Sequence, residues 1–191
     1  MNQNQLAHFA VAMYKKKSLN YVNKKVGGGW VLDKPKSKVD SKVFIKDRIV
    51  VIAFRGTKNM KDVKDDVSIL LSTEHKNKRW KKARKLVEKV NDEYEGYKVY
   101  ITGHSLGGSL AEFSSRHSGN ETVGFSRGNV KIGQEIKNDN YSDVYNKYDP
   151  ISGLIGTHKG NSEHRPVDGL NKHSIGNFIQ NENKINNKTI N

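Results

Sequence analysis

The sequence predicts an α/β protein, with a mixed, mostly parallel central sheet flanked by helices. Three observations predict it. Ile49–Phe54 is an unbroken apolar run, the pattern of a strand covered on both faces. Strand-like runs alternate with helical periodicities along the chain. Lys42–Lys46 and Arg48–Phe54 flank a tight turn near Asp47, which adds an antiparallel hairpin.

Each element follows from local pattern. Gln5–Tyr14 reads as a helix with Leu6, Phe9, Ala10 and Met13 on one face. A loop with the Gly27–Gly28–Gly29 break is expected next, then a strand at Trp30–Leu32. Beyond the hairpin, Lys58–Ser72 is polar with scattered apolar residues. Trp80, Ala83, Val87, Val90 and Tyr94 recur at helical steps, and Gly96 ends that helix. Lys98–Thr102 reads as a short strand and Leu106–Arg116 as a helix of small residues. Glu121–Phe125 and Asp143–Lys147 are further strands, and after Asp149-Pro150 the chain turns loop-like, rich in Gly and Asn.

The chain has 191 residues, enough for one domain. The expected division is a domain over 1–180 and a polar tail over 181–191. Leu, Ile, Val and Phe make up 46 residues, which is sufficient for a thin core. No apolar run approaches the roughly 18 residues of a membrane span. No basic residue precedes the apolar stretch Leu6–Met13, so it does not read as a secretory signal. The absence of cysteine removes disulfides, thiolate chemistry and cysteine-ligated zinc. A reducing, cytoplasmic setting is the expectation.

Net charge is +14. It rests on 27 Lys against 7 Arg, beside 20 Asn and 13 Ile. Those three abundant residues share A- and T-rich codons, so genome composition alone would produce such a surface. Scarce arginine argues against dedicated phosphate readout, and no specific nucleic-acid partner is predicted. The Lys-rich surface suits an anionic membrane or lipid interface.

The chemistry concentrates in Val99-Tyr-Ile-Thr-Gly-His-Ser-Leu-Gly-Gly108. Gly103-His104-Ser105-Leu106-Gly107 is a G-x-S-x-G pattern between a β-branched strand and a small-residue helix. There Ser105 would stand on a sharp turn, with Gly103 and Gly107 removing side chains where strand and helix cross. The alternative for Ser105 is an ordinary helix N-cap. A second segment, Ile49-Val-Val-Ile-Ala-Phe-Arg-Gly-Thr57, runs a buried strand into Arg-Gly-Thr. A backbone N–H from such a loop can help stabilise an oxyanion, and Thr57 is placed in chain order to supply it. Asp149 follows a strand-like stretch that Pro150 stops. His104 neighbours the serine and reads as a packing or hydrogen-bonding residue.

Together, Gly-His-Ser-Leu-Gly-Gly and Val-Ile-Ala-Phe-Arg-Gly-Thr resemble the class 3 lipase family, α/β-hydrolases that include the fungal triacylglycerol lipases. The opening helix, the Asp149-Pro150-Ile151 step and His173-Ser174 with Phe178 five residues after the histidine extend the resemblance. It implies an α/β-hydrolase fold and a triad: Ser105 as nucleophile, His173 as base and Asp149 as its orienting acid. Leu106 and Thr57 N–H groups would form the oxyanion hole. Asp66 would support the Thr57 hydroxyl, with Asp62 and Asp65 as rivals. His158 and His164 compete with His173, and Asp168 with Asp149. The chain is shorter than typical members, and the segment Val123–Asn129 lacks the family's proline.

The implied activity is a serine carboxylester hydrolase acting on lipid esters, a triacylglycerol lipase or a phospholipase, with no metal or cofactor. The alternatives are a non-catalytic basic module binding anionic lipid or nucleic acid, and an acyltransferase using the same triad. Lys58–Ser68 reads either as a basic lid over the site or as an exposed connector. The basic helix from Lys78 to Lys85 reads as a solvated face.

Overall fold

The computed structural model describes residues 1–57, 78–116, 118–127, 139–146, 148–149, 161–164 (as backbone) and 173–179. The tail from 181 to 191 and Lys58–Ser68 lie outside the described residues.

Helix α1 (Gln3–Ala12) opens with a reciprocal cap. Asn2 Oδ1 accepts from Gln5 N at 2.8 Å, and Gln5 Oε1 accepts from Asn2 N at 3.1 Å. Leu6 through Ala12 are all buried, so this helix is enclosed on every side rather than along one stripe. Helix α2 (Ser18–Lys25) occupies the stretch expected to be loop. Only Ser18 and Val22 of it are buried, too few anchors to produce a visible period.

The sheet runs β1 (Val31–Leu32), β2 (Ser41–Lys46), β3 (Ile49–Phe54), β4 (Lys98–His104), β5 (Glu121–Phe125), β6 (Tyr141–Tyr145) and β7 (Asn161–His164), side by side in chain order. β1, β2 and β3 pair antiparallel, and β3 through β7 parallel. The expected hairpin closes between Lys46 and Ile49, with Asp47 in the left-handed region at φ 50°. Helices α3 (Lys78–Glu93) and α4 (Leu106–Ser115) link the central parallel strands.

A strictly sequential strand order with crossovers of one hand puts those helices on one face. Val50, Ile52, Phe54, Val99 and Ile101 point to that face, against Trp80, Val87, Val90 and Leu110. Val51, Ala53 and Tyr100 point to the other, where Leu6, Phe9, Ala10, Met13 and Phe178 cover them. Both faces are apolar, which is why Ile49–Phe54 shows no alternation.

Three strand expectations need correction. β4 runs two residues further than Thr102, because Gly103 pairs with Phe54 and His104 with Phe125. β6 begins at Tyr141 and ends at Tyr145, not at 143–147. Tyr141 and Ser142 extend it toward the start by pairing with Thr122 and Val123. Asp143, mid-strand, is fully buried, 3.1 Å from Arg127 Nε. β7 falls in the stretch expected to be loop. Asn-Ser-Glu-His carries no β-branched residue, and its strand form comes from pairing with β6.

Trp80 is the largest side chain under α3, 1% exposed and edge-on to Phe113 at 4.9 Å. Trp80→Ala should cost about 3–5 kcal/mol. A thermal melt should show Tm lowered by about 10 °C.

Candidate active site

Ser105 joins β4 to α4 with φ 57° and ψ −130°, a conformation costing about 1–3 kcal/mol in a non-glycine residue. Its N–H donates to Phe125 O at 3.0 Å, and its carbonyl accepts from Gly108 and Ser109 at 2.9 and 3.1 Å. The turn therefore closes only where backbones can nearly touch. A Cβ on Gly103 would overlap the Gly107 carbonyl, and one on Gly107 would overlap the Phe54 carbonyl at the end of β3. The Ser105 side chain does not cap α4, and its buried Oγ has no hydrogen-bond partner among the described residues. An N-cap serine has extended backbone and a bonded hydroxyl, so the N-cap alternative does not hold.

The β3 end meets this elbow. A Cβ on Gly56 would lie 2.6 Å from His104 O and Tyr14 Oη, and 3.3 Å from Ser105 Cβ. Gly56 N donates to Tyr14 Oη at 3.1 Å. Burial pushes the Tyr14 phenol up, which keeps it neutral. Arg79 donates to the Arg55 carbonyl, and the Arg55 guanidinium lies over the Tyr14 ring at 5.6 Å. Residues 55 and 56 are thus held by Tyr14, two residues beyond α1, and by Arg79 of α3, and Thr57 follows directly. Arg79 turns inward from the basic helix, which corrects the expectation of a uniformly solvated face.

Asp149 lies four residues beyond β6, in a turn where its N–H donates to Asn146 O at 2.9 Å. His173 precedes a short 3-10 helix, Ile175–Phe178, whose Phe178 packs on Phe125 at 5.5 Å. The structure brings the two together: His173 Nδ1 lies 2.8 and 2.7 Å from the Asp149 carboxylate oxygens. A carboxylate only accepts, so Nδ1 carries the proton and a neutral ring keeps its lone pair on Nε2. Nε2 is buried with no hydrogen-bond partner.

His104 ties this pair to the elbow. Its Nε2 lies 2.7 Å from the His173 backbone carbonyl, and the two rings are 4.8 Å apart. A carbonyl accepts, so His104 is the neutral Nε2–H tautomer. Burial, with the neighbouring His173 charge second, holds its pKa down at about 3. Sequence reading placed His104 as a hydrogen-bonding residue but not its partner. Tyr14 and Arg79 were missed altogether; each acts on a backbone atom distant in sequence.

A second buried cluster lies beside α4. Arg127, 2% exposed, sits 3.1 Å from both Asp143 and Glu112, and Arg116 lies 3.0 Å from Glu112. It ties the end of β5 to the middle of β6 and to α4, so Asp143 serves in this network. Asp66, Asp62, Asp65, His158 and Asp168 lie outside the described residues, and His164 is on β7. Among the described residues no group of His, Asp and Glu is arranged to hold a metal ion, and no helix is long and apolar enough to cross a membrane.

The family model of the Tle-like phospholipase domain matches residues 9–131. The chain belongs to this Tle-like phospholipase family. The matched span holds Gly56, Thr57 and the whole elbow; Asp149 and His173 lie beyond it. The fold of this phospholipase-like chain is similar to that of solved lipase structures. A variant of MDLA from Penicillium cyclopium aligns with TM-score 0.62 at 13% identity, over 92% of this chain and 83% of that one. A lipase from Rhizopus microsporus var. chinensis aligns with TM-score 0.58 at 17% identity, over 88% and 75%. The Lip2 lipase of Yarrowia lipolytica gives TM-score 0.53 at 13% identity, over 82% and 77%. The chain is therefore a lipase-like α/β-hydrolase in fold, as the resemblance implied. No curated protein sequence matches it.

His104 takes a proton at about 3 when folded, against 6.5 ordinarily. Between those values the unfolded chain binds more protons, so stability falls as pH drops. The contribution is fully present above about pH 6.5 and is lost progressively toward about pH 3. Urea midpoints from about pH 7 to about pH 4 should therefore fall more steeply in the wild type than in His104→Gln, which keeps an N–H donor. Equal slopes would overturn the neutral assignment.

Proposed function

We propose that this chain hydrolyses carboxyl esters of lipids, phospholipids foremost, through an acyl-enzyme on Ser105. The observation that carries this reading is the buried His173–Asp149 pair, tethered by His104 to the strained turn bearing Ser105. The family supports a phospholipid substrate.

In this reading His173 Nε2 takes the Ser105 proton as Oγ attacks the ester carbonyl. Asp149 holds the imidazole by Nδ1 and stabilises the imidazolium. The carbonyl oxygen becomes an oxyanion, met by the N–H of Leu106, at the first turn of α4, and that of Thr57. His173 then protonates the departing alcohol oxygen as the C–O bond breaks, leaving the acyl group on Ser105. A water gives its proton to His173, attacks the acyl carbon and releases the fatty acid, and Oγ regains its proton. Asp66, as a support for the Thr57 hydroxyl, belongs to the same proposal. No metal or cofactor enters any step.

The test is turnover of p-nitrophenyl butyrate and of a phospholipid, together with labelling by a fluorophosphonate. The wild type should hydrolyse both and carry the phosphonate on Ser105 by mass spectrometry. Ser105→Ala should lose both. Asp149→Asn should fold but lose about 10⁴-fold in kcat, the scale of a misoriented imidazole. Labelling elsewhere, or turnover unchanged in Ser105→Ala, would sink the proposal.

A further inference from the structure

A groove of about 600 Å³ runs between α3 and the connection from β1 to β2, and it contains none of Ser105, Asp149, His173 or Thr57. Its size is that of a small-molecule site. Its floor is apolar: Phe54 from the end of β3, Ala83 and Leu86 from α3, and Leu110 from α4. Its rim is cationic. Lys38, Arg79, Lys82, Lys85 and Lys89 line it, against one lining carboxylate, Asp40.

Not all of these cations are uncommitted. Arg79 donates to the Arg55 carbonyl, and Lys89 lies 3.5 Å from Glu93. Lys36, also lining, is bound to Asp33 and Glu93. Lys38, Lys82 and Lys85 are exposed and make no ion pair with a described residue. Lys82 and Lys85 stand one turn apart along α3, and Lys38 lines the same groove from the connection between β1 and β2. Next to Lys38, Val39 lines the groove and is 76% exposed.

An apolar floor beside three ammonium groups that make no ion pair with a described residue complements an anionic amphiphile. We propose that this groove docks an anionic phospholipid at a bilayer surface. The headgroup phosphate lies among Lys38, Lys82 and Lys85, and an acyl segment lies over Leu86, Phe54 and Leu110. Val39 enters the interfacial layer beside it. The inference rests on the lipid-ester reading above for the kind of surface the chain meets. It adds a second lipid contact, separate from the reacting ester. Phe54 places the groove behind the elbow, since its carbonyl is the atom Gly107 packs against.

The test measures binding and turnover separately. Binding is followed by vesicle sedimentation with Ser105→Ala protein, using phosphatidylcholine alone and phosphatidylcholine with an equal part of phosphatidylglycerol. Lys82→Glu/Lys85→Glu is compared with Lys24→Glu/Lys25→Glu, which changes net charge equally on the exposed end of α2. The expected result is selective binding to the anionic vesicles. The groove pair should weaken it by about tenfold or more, and the α2 pair by about threefold or less. Val39→Trp should show blue-shifted emission, quenched by brominated lipid, only with the anionic vesicles. Equal losses in both pairs would mean diffuse charge attraction and overturn the proposal, as would absence of anionic selectivity. Turnover of soluble p-nitrophenyl butyrate by the Lys82→Glu/Lys85→Glu protein with Ser105 intact should match the wild type. If the wild type itself turns over no ester, the hydrolase reading fails while the binding result stands.

Discussion

The approach of three backbones around Ser105 is the constraint on which the rest of the site depends. β3 ends at Phe54, β4 turns at Gly103–Ser105, and α4 starts at Leu106, all within van der Waals reach of one another. A positive-φ serine persists only when its surroundings over-determine it. Here they do: the β4 ladder is paired on one side to Phe54 and on the other to Phe125, and the Ser105 amide continues the second ladder. Gly56, Gly103 and Gly107 are where a side chain would force these segments apart. The strain at one residue is set against hydrogen bonds and close packing distributed over three elements.

Around that crossing the protein keeps its buried polar groups neutral or paired. His104 is neutral and gives its one N–H to a backbone carbonyl. Tyr14 is a neutral phenol accepting from Gly56. The charged Arg127 is buried, but between two carboxylates, and its guanidinium is held more firmly in the charged state by them and by Tyr141. Leaving any one of these groups unpaired would cost a few kcal/mol in so dry an environment, comparable to a large share of the stability of a domain. That comparison explains why buried polar atoms with no hydrogen-bond partner among the described residues stand out at the candidate site: Ser105 Oγ, His173 Nε2 and Thr57 Oγ1. The first two are the pair the proposed reaction uses.

The strand order sets the division of labour between the two faces. Parallel strands laid down in sequence place α3 and α4 together, and other segments cover the opposite face. Helix α1 and the 3-10 helix after His173 do that, meeting over Phe125 and Tyr100. One consequence is positional: the segment carrying the candidate base is anchored in the core by Phe178, although His173 itself is far from that core in sequence. Another concerns charge. Because α3 lies on its own side of the sheet, its lysines border a groove behind the elbow that contains none of Ser105, Asp149 or His173.

Much of this was legible without the fold. The G-x-S-x-G turn, its flanking glycines, the two-faced strand Ile49–Phe54 and the hairpin at Asp47 are contiguous, and short-range sterics and burial pattern fix them locally. Asp149 and His173 were nominated by resemblance, and their 2.7–2.8 Å contact is a matter of tertiary geometry. What the sequence hid has a common cause. Helix α2 has too few buried residues to show a period, β7 is a strand because β6 offers it a ladder, and the first residues of β6 are set by pairing with β5. His104, Tyr14 and Arg79 bond to backbone atoms, and every residue has those, so no partner side chain marks the interaction in the sequence. The sequence by itself determined where the backbone may turn sharply and which runs are buried. The tertiary structure alone decided which buried polar groups meet, because that pairing depends on proximity across the sheet and leaves no local trace.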